Sequence, residues 1–440
     1  MKARLVPIML HSGQQEKFAV ILEKLKEIYA EEAEFLPAIR QGEVPPPEAD
    51  ALLFPNMEVD IYQDNLAQYR HLPMLVMTTV HGVSLMFDWE SVAYLQRKGY
   101  EVYHPYSVEL AKTMLKALAL KRTMHGSKFL MFHDTNGDGL IPEQFKIFYW
   151  WNEECKADIR EKFGITIVQR SFKELGASAR AIPDDAARTE AKRWNIPMEN
   201  ITERRLLASI KLFLALRDAV DEEGGVVACG INCLNEAYDS DTTPCLAYDL
   251  LYRDRGIMWG CESDTSALLT QYLLGATIDS GLFTTNIYPF LSGMPALSHE
   301  KIQSFPDVPD PDDHALLVHC GYLGCAMSQK HATRWMLRPP VLDWLVGEHG
   351  NAIDAEIATG DITLAKLHAD YKSLQMQKAV LEQYVQYPGS DCRNGGLIRV
   401  ADGHRMMDKI ASHHVIVVSG KRSAQFRAVA SIFGLDVDEI

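Results

Sequence analysis

Cys261-Glu262-Ser263-Asp264-Thr265-Ser266-Ala267-Leu268-Leu269 joins a short apolar run, Gly256 to Cys261, to what reads as the start of a helix. Asp264 stands where an N-cap belongs. Apolar residues then recur at Leu268, Leu269, Tyr272 and Leu273, and Gly275 supplies a stop. The spacing therefore predicts a strand-to-helix junction with Glu262 on it, where the helix N-terminus favours an anion. Strands that feed helices build parallel α/β sheets, and ligands of such sheets gather just beyond the carboxyl ends of the strands. A carboxylate in that position can hold a metal or move a proton; the plainer reading is a capping or solvated acid.

The chain around this junction has 440 residues, too many for one ordinary core, so two or three domains are expected. Hydrophobic residues make up 47%, which is a globular composition. The formal net charge of −15 disfavours nucleic acid and anionic membrane as partners. No run of about 18 apolar residues appears, and the opening Met-Lys-Ala-Arg-Leu-Val-Pro lacks the apolar core of a signal peptide. These features lead us to expect a cytoplasmic protein with no membrane partner. Eight cysteines are scattered along it, and without an export signal a disulfide framework is not expected. Cys229/Cys233 and Cys320/Cys325 are the close pairs; they read as buried thiols, with a structural zinc site as the alternative.

Strand and helix signals alternate through the first part of the chain. Leu5 to Leu10 is an apolar run, and Glu16 to Ala33 has helical periodicity with Phe18, Ile21, Leu22, Leu25 and Ile28 on one face. Ala51–Phe54 and Met74–Thr79 read as strands, and Trp89–Lys98 as a helix stopped by Gly99. A second unit of the same kind begins at the strand Lys128–Phe132. It continues through a helix over Asn152–Phe163, a strand Ile165–Val168, an amphipathic helix Arg204–Val220 and a strand Val226–Ala228. From about residue 277 the runs Ala315–Val318, Ile362–Leu364 and Val415–Val418 are separated by loops rich in Gly, Pro and Asp. Pro306 to Asp313 and Pro45 to Pro47 can only be surface loops. The expected organisation is an α/β domain over 1–115, a second α/β domain over 116–276 carrying Glu262, and a β-rich domain over 277–440. Both α/β domains should be doubly wound parallel sheets of the Rossmann kind.

Several chemistry-bearing residues stand at strand ends. In an extended strand His413 and His414 face opposite sides, so one of the two reaches a given site. His314 and His319 also differ in parity; His319 is the better candidate because a loop, Cys320-Gly321-Tyr322, follows it directly. Asp134 to Ile141 resembles the first eight positions of an EF-hand loop, but Phe145 occupies the place of the required glutamate. A polar loop at the end of the preceding strand is the better reading. Phe148-Tyr149-Trp150-Trp151 can stack on a sugar or serve as packing, and Arg399 and Arg422 can bind a substrate anion or simply lie at the surface.

Taken in order, these segments resemble the L-fucose isomerase/L-arabinose isomerase group. Pro73 to Thr79 followed by Phe87-Asp88-Trp89-Glu90 and Tyr94-Leu95 is similar to the first domain of that group. Lys162 to Val168 with Glu174-Leu175 resembles its second. Pro244 to Ala247, Gly256-Ile257 and Cys261 to Asp264 are the nearest in pattern. Val318 to Gly321, Gly360 to Leu364 and His413-His414 up to Gly420 complete the C-terminal part. The resemblance implies two Rossmann-like domains and a β-rich C-terminal domain. It also implies aldose–ketose interconversion with a divalent metal, Mn2+ or alternatively Mg2+, and a homo-oligomer, trimer or hexamer. Glu262 matches the metal-binding glutamate that also moves the proton, and His414 the late histidine ligand. The aspartate of the group falls on Asn286, 286 − 262 = 24 positions on, where an amide can ligate through oxygen but brings no charge and carries no proton. His319 or His314, Trp89 and Asp264 are the implied sugar contacts. Such a site would form an enediolate beside a Lewis acid, with a carboxylate as proton shuttle. Other carbon-acid chemistry on a sugar (epimerisation or carbon–carbon cleavage) is one alternative, and a non-catalytic sugar-binding protein is another.

Overall fold

Apolar runs short enough for strands, each followed by an amphipathic helix, set up the first sheet of the computed structural model. The structure describes residues 1–10, 14–57, 66–134, 152–233, 236–297, 302–319, 332–339, 350–387 and 394–440. Strands β1 (Ala3–Met9), β2 (Ala33–Phe35), β3 (Ile39–Arg40), β4 (Ala51–Phe54), β5 (Met74–Val76) and β6 (Val102–Tyr103) form a parallel sheet in the order β2-β1-β4-β5-β6, with β3 also pairing with β1. Every residue of β4 and β5 is buried, as expected of parallel strands covered on both faces. The helix Gln15–Ile28 buries Phe18, Ile21, Leu22 and Leu25, the face its periodicity announced. It ends before Ala33, which opens β2. This sheet belongs to a unit made of Met1–Met124 with Ala276–Ile278 and Arg427–Phe433.

A second unit comprises His125–Gly275, Asp279–Phe426 and Gly434–Ile440. Its first sheet is again parallel and Rossmann-like: β7 (Lys128–Phe132), β8 (Thr166–Arg170), β9 (Val226–Ile231) and β10 (Met258–Gly260) lie in the order β10-β9-β7-β8. The intervening helices are bounded by their own chemistry. The Asn152 side chain accepts from the Cys155 amide at 2.8 Å, and Gly164 stops that helix in the left-handed conformation at φ 71°.

The remaining strands are mostly antiparallel. They are β11 (Leu282–Pro289), β12 (His314–His319), β13 (Ala332–Arg338), β14 (Ala352–Ile357), β15 (Gly360–Leu367), β16 (Ser373–Gln386), β17 (Asn394–Val400), β18 (His414–Ser419) and β19 (Asp436–Glu439). Seven of them follow the order β15-β18-β11-β12-β17-β16-β19, and a further β15–β16 pairing closes the sheet into a barrel-like ring. Strand β16 makes closure possible because it is 14 residues long. Its first half pairs with β19, its second half with β17, and its other edge runs along β15. β13 and β14 form a separate two-stranded sheet. The architecture is therefore two Rossmann-like parallel sheets and a β-rich C-terminal part, as the sequence pattern led us to expect.

Candidate functional site

The turn that follows β10 is bent by two residues in succession. Glu262 and Ser263 have φ of 53° and 58°, a conformation that costs a non-glycine residue about 1–2 kcal/mol. Room for the bend comes from Gly230 and Gly260, which are register partners on β9 and β10. A Cβ on Gly230 would stand 3.1 Å from the Ser263 Cα. The bend leaves Glu262 half-buried and turns Asp264 inward as the N-cap of the helix Thr265–Thr277, its Oδ1 accepting from the Ala267 amide at 2.8 Å. The local pattern thus identified the cap correctly.

Asp264 does more than cap. It is fully buried, and its Oδ2 accepts from Lys366 Nζ on β15 at 3.1 Å and from His414 Nδ1 on β18 at 2.9 Å. Burial alone would raise the Asp264 carboxyl. The Lys366 ammonium and the His414 hydrogen bond outweigh it, and hold the group well below the ordinary carboxylate range. Burial pushes the Lys366 ammonium below its own ordinary value, with Asp264 opposing. With Asp264 ionised, the His414 proton sits on Nδ1 and the basic nitrogen is Nε2.

Strand register brings in the next residues. Asn286 on β11 is the direct cross-strand partner of His414 on one side and of Val318 on the other. Direct partners share a face with Cβ atoms about 5 Å apart. The Asn286 Nδ2 donates to the Tyr288 hydroxyl at 3.1 Å. His319 ends β12, and its ring centre lies 6.4 Å from that of His414. His413 corrects an expectation. Strand alternation would send it away from His414, yet the two ring centres are 4.3 Å apart. β18 begins only at His414, so the pleat does not govern the residue before it. Burial chiefly, and the neighbouring His414 next, push the His413 imidazole down to about 2, so it is neutral at physiological pH.

The other residues named from the sequence lie elsewhere. His314 opens β12 at the end opposite His319. Its Nδ1 meets the Asp310 carbonyl at 2.5 Å and its Nε2 meets Glu382 Oε2 at 3.2 Å, a structural setting. Trp89 belongs to the N-terminal unit, where it is 56% exposed at the start of the helix Trp89–Arg97. Arg399 pairs with Glu382, and Arg422 with the Ser419 carbonyl and Gln425. Cys229 and Cys233 are free thiols, and burial pushes Cys229 up. Positions 135–141 of the stretch that resembles an EF-hand loop, the aromatics at 148–151 and the pair Cys320/Cys325 lie outside the described residues.

Sequence reasoning weighed His413 and set it aside for His414, and it missed Lys366 and a second group. Asp134 after β7, with Glu236 and Asp239 after β9, offers carboxylate oxygens all within 4.8 Å of one another at the carboxyl edge of the parallel sheet. This trio could hold a metal ion. Both Glu236 oxygens accept from the Asp134 amide, at 3.1 and 2.9 Å, and burial with the nearby Asp134 raises the Asp239 carboxyl. Gly176 lets the helix Phe172–Ala181 approach this loop, since a Cβ there would stand 1.9 Å from the Asp239 carbonyl oxygen. Gly176→Ala is therefore expected to destabilise the protein by about 1–3 kcal/mol, read as a lower urea midpoint. An unchanged midpoint would show that the loop yields freely.

Two clefts of this unit, about 330 and 620 Å³, are lined by residues including Arg188, Glu203 and Lys211, and Arg170 and Glu222. Several of their cations are paired, Arg188 with Glu203, Lys211 with Asp184 and Arg170 with Glu222 and Glu223. Among the described residues Lys366 borders a slit of about 20 Å³, lined also by Gln375, Ser412 and Val415. Among the described residues no helix is long and apolar enough to cross a membrane. Comparison with protein-family models and with curated proteins finds no match for this chain.

Proposed function

We propose that the protein is a sugar isomerase-like enzyme that interconverts an aldose and a ketose by carrying a proton between neighbouring carbons. The supporting observation is the convergence on His414 of residues distant in sequence. Asn286 faces it across the β11–β18 ladder, and Asp264, two positions beyond Glu262, accepts its Nδ1 proton. The proposed partner is a small-molecule sugar, the assembly a homo-oligomer, and the compartment the cytoplasm.

In this reading Glu262 removes the proton from the carbon beside the carbonyl and returns it to the former carbonyl carbon. A positioned carboxylate of this kind contributes roughly 10²–10⁴ in rate. The negative charge that develops on the carbonyl oxygen has to be met by a proton. His414 can take one from the neighbouring hydroxyl at Nε2 and pass it across, because ionised Asp264 supports the imidazolium so formed. His413, kept neutral by burial, adds no competing charge.

The resemblance to fucose and arabinose isomerases implies manganese on Glu262, Asn286 and His414. The His414 ring suits a ligand, since a carboxylate on one nitrogen is the usual setting of a metal-bound imidazole. The rest of the donor set does not fit a tightly held dication. It carries one formal negative charge, that of Glu262, because Asn286 is neutral and the Asp264 charge is matched by Lys366. The proton relay is therefore assigned to Glu262 and His414 themselves.

Incubation with a panel of aldoses and ketoses in deuterated water tests the assignment. The expected result is deuterium at the first or second carbon of one sugar, lost in Glu262→Gln. If every sugar in the panel stays unlabelled, the isomerase reading fails.

A further inference from the structure

We propose that Lys366 is the built-in cation of this centre, standing in for a divalent metal and making the site metal-independent. The inference rests on the site assignment above, but its test reads metal binding and not sugar turnover. Three observations carry it. Lys366 Nζ and His414 Nδ1 share a single oxygen, Asp264 Oδ2, at 3.1 and 2.9 Å, so a fixed positive charge lies one carboxylate away from the imidazole. All three residues are at most 3% exposed, so solvent screens this charge little. The position across the ladder from His414, where a second carboxylate would be needed to offset that charge and a dication together, holds the neutral Asn286.

A covalent role for Lys366 does not fit the same geometry. Its Nζ is buried and turned to Asp264 Oδ2 at 3.1 Å, so the nitrogen is engaged by a carboxylate and not presented to a substrate carbonyl. Lys366 is thus a positioning residue. It holds the Asp264 carboxylate in place at 3.1 Å, and Asp264 in turn orients the His414 ring through Nδ1 at 2.9 Å. A metal bound to His414 would have to enter against the lysine's charge. Where two carboxylates line a site, binding a dication removes an excess of negative charge; here it would create an excess of positive charge in a buried setting.

Manganese titration followed by electron paramagnetic resonance decides the matter. All variants carry Asp239→Asn, which breaks the separate acidic trio that could itself take up the ion. With Glu262, Asn286, His414 and Lys366 unchanged, binding is expected to be no tighter than millimolar. Micromolar binding that Glu262→Gln abolishes would overturn the proposal. The second comparison sets Asn286→Asp against Asn286→Asp with Lys366→Met. The double change is expected to bind manganese at least 100-fold more tightly than the single one, because it supplies the missing acid and removes the resident cation. Equal affinities would show that Lys366 does not keep the ion out, and would overturn the proposal independently of any enzymatic assay.

Discussion

Asp264→Ala is expected to be the most damaging single substitution in the protein, costing about 3–5 kcal/mol of stability and at least roughly 10²-fold in sugar turnover. The stability loss follows from what is left behind. Lys366 is 3% exposed and has Asp264 as its ion-pair partner; the substitution leaves the ammonium buried without that carboxylate beside it. Removing one member of a buried pair is costly, whereas removing both in favour of apolar groups is close to neutral. Asp264→Ala/Lys366→Met should therefore be more stable than Asp264→Ala by a few kcal/mol, although it carries more changes. Urea unfolding of the parent, both single variants and the double variant closes the cycle. A double variant no more stable than Asp264→Ala would sink the buried-pair account. Turnover should behave differently: Lys366→Met restores charge balance but not the His414 tautomer, so the double variant is expected to stay inactive. That split separates the structural task of Asp264 from its chemical one.

The same residue shows how far the sequence could be read. Its N-cap role is written in four consecutive positions and depends on one turn of helix, so it was legible. Its partners are 102 and 150 residues away, and no local pattern announces them. A signal for Lys366 did exist. It is the lone cation in Ile362-Thr363-Leu364-Ala365-Lys366-Leu367, a stretch buried along its length, and a charge in that setting asks for a partner. Strands made of short apolar runs, such as β4, β7 and β18, were found where the runs stood. β16 was not, because Ser373–Gln386 mixes glutamines and charges with its apolar residues and is defined by its backbone pairing with the strands on either edge. Glu236 and Asp239 were invisible for a related reason. They meet Asp134 only because β7 and β9 are neighbours in the parallel sheet, a fact of topology and not of spacing. The His413–His414 pair marks the opposite error, where a strand rule was applied one residue outside the strand.

The other large effect expected is an early loss of stability on the acid side, starting near pH 6.5 and amounting to about 3 kcal/mol for each of two histidines by pH 4. Burial, aided by Lys156, pushes His133 down to about 4, and burial with His414 pushes His413 down to about 2. His133 is 3% exposed and receives a hydrogen bond from Gln169 Nε2 at its Nδ1, at 3.2 Å, a contact that requires the neutral ring. Both native values lie below that of an unfolded histidine, so between pH 6.5 and the native value the unfolded chain binds the extra proton. Stability is then complete above pH 6.5 and falls as pH drops, by about 1.4 kcal/mol per unit for each group. Asp264 acts in a separate, lower window. Its native value is depressed, so its contribution is complete above about pH 4 and is lost only as pH falls further toward the native value. The histidines therefore set the onset and the carboxylate the end of acid unfolding. Urea midpoints measured from pH 7.5 to 4 should hold level to about pH 6.5 and decline below it, and His133→Gln and His413→Gln should each flatten the decline by close to one proton. If neither variant changes the slope, the acid sensitivity comes from the carboxylates, and the two imidazoles are not held neutral by the fold.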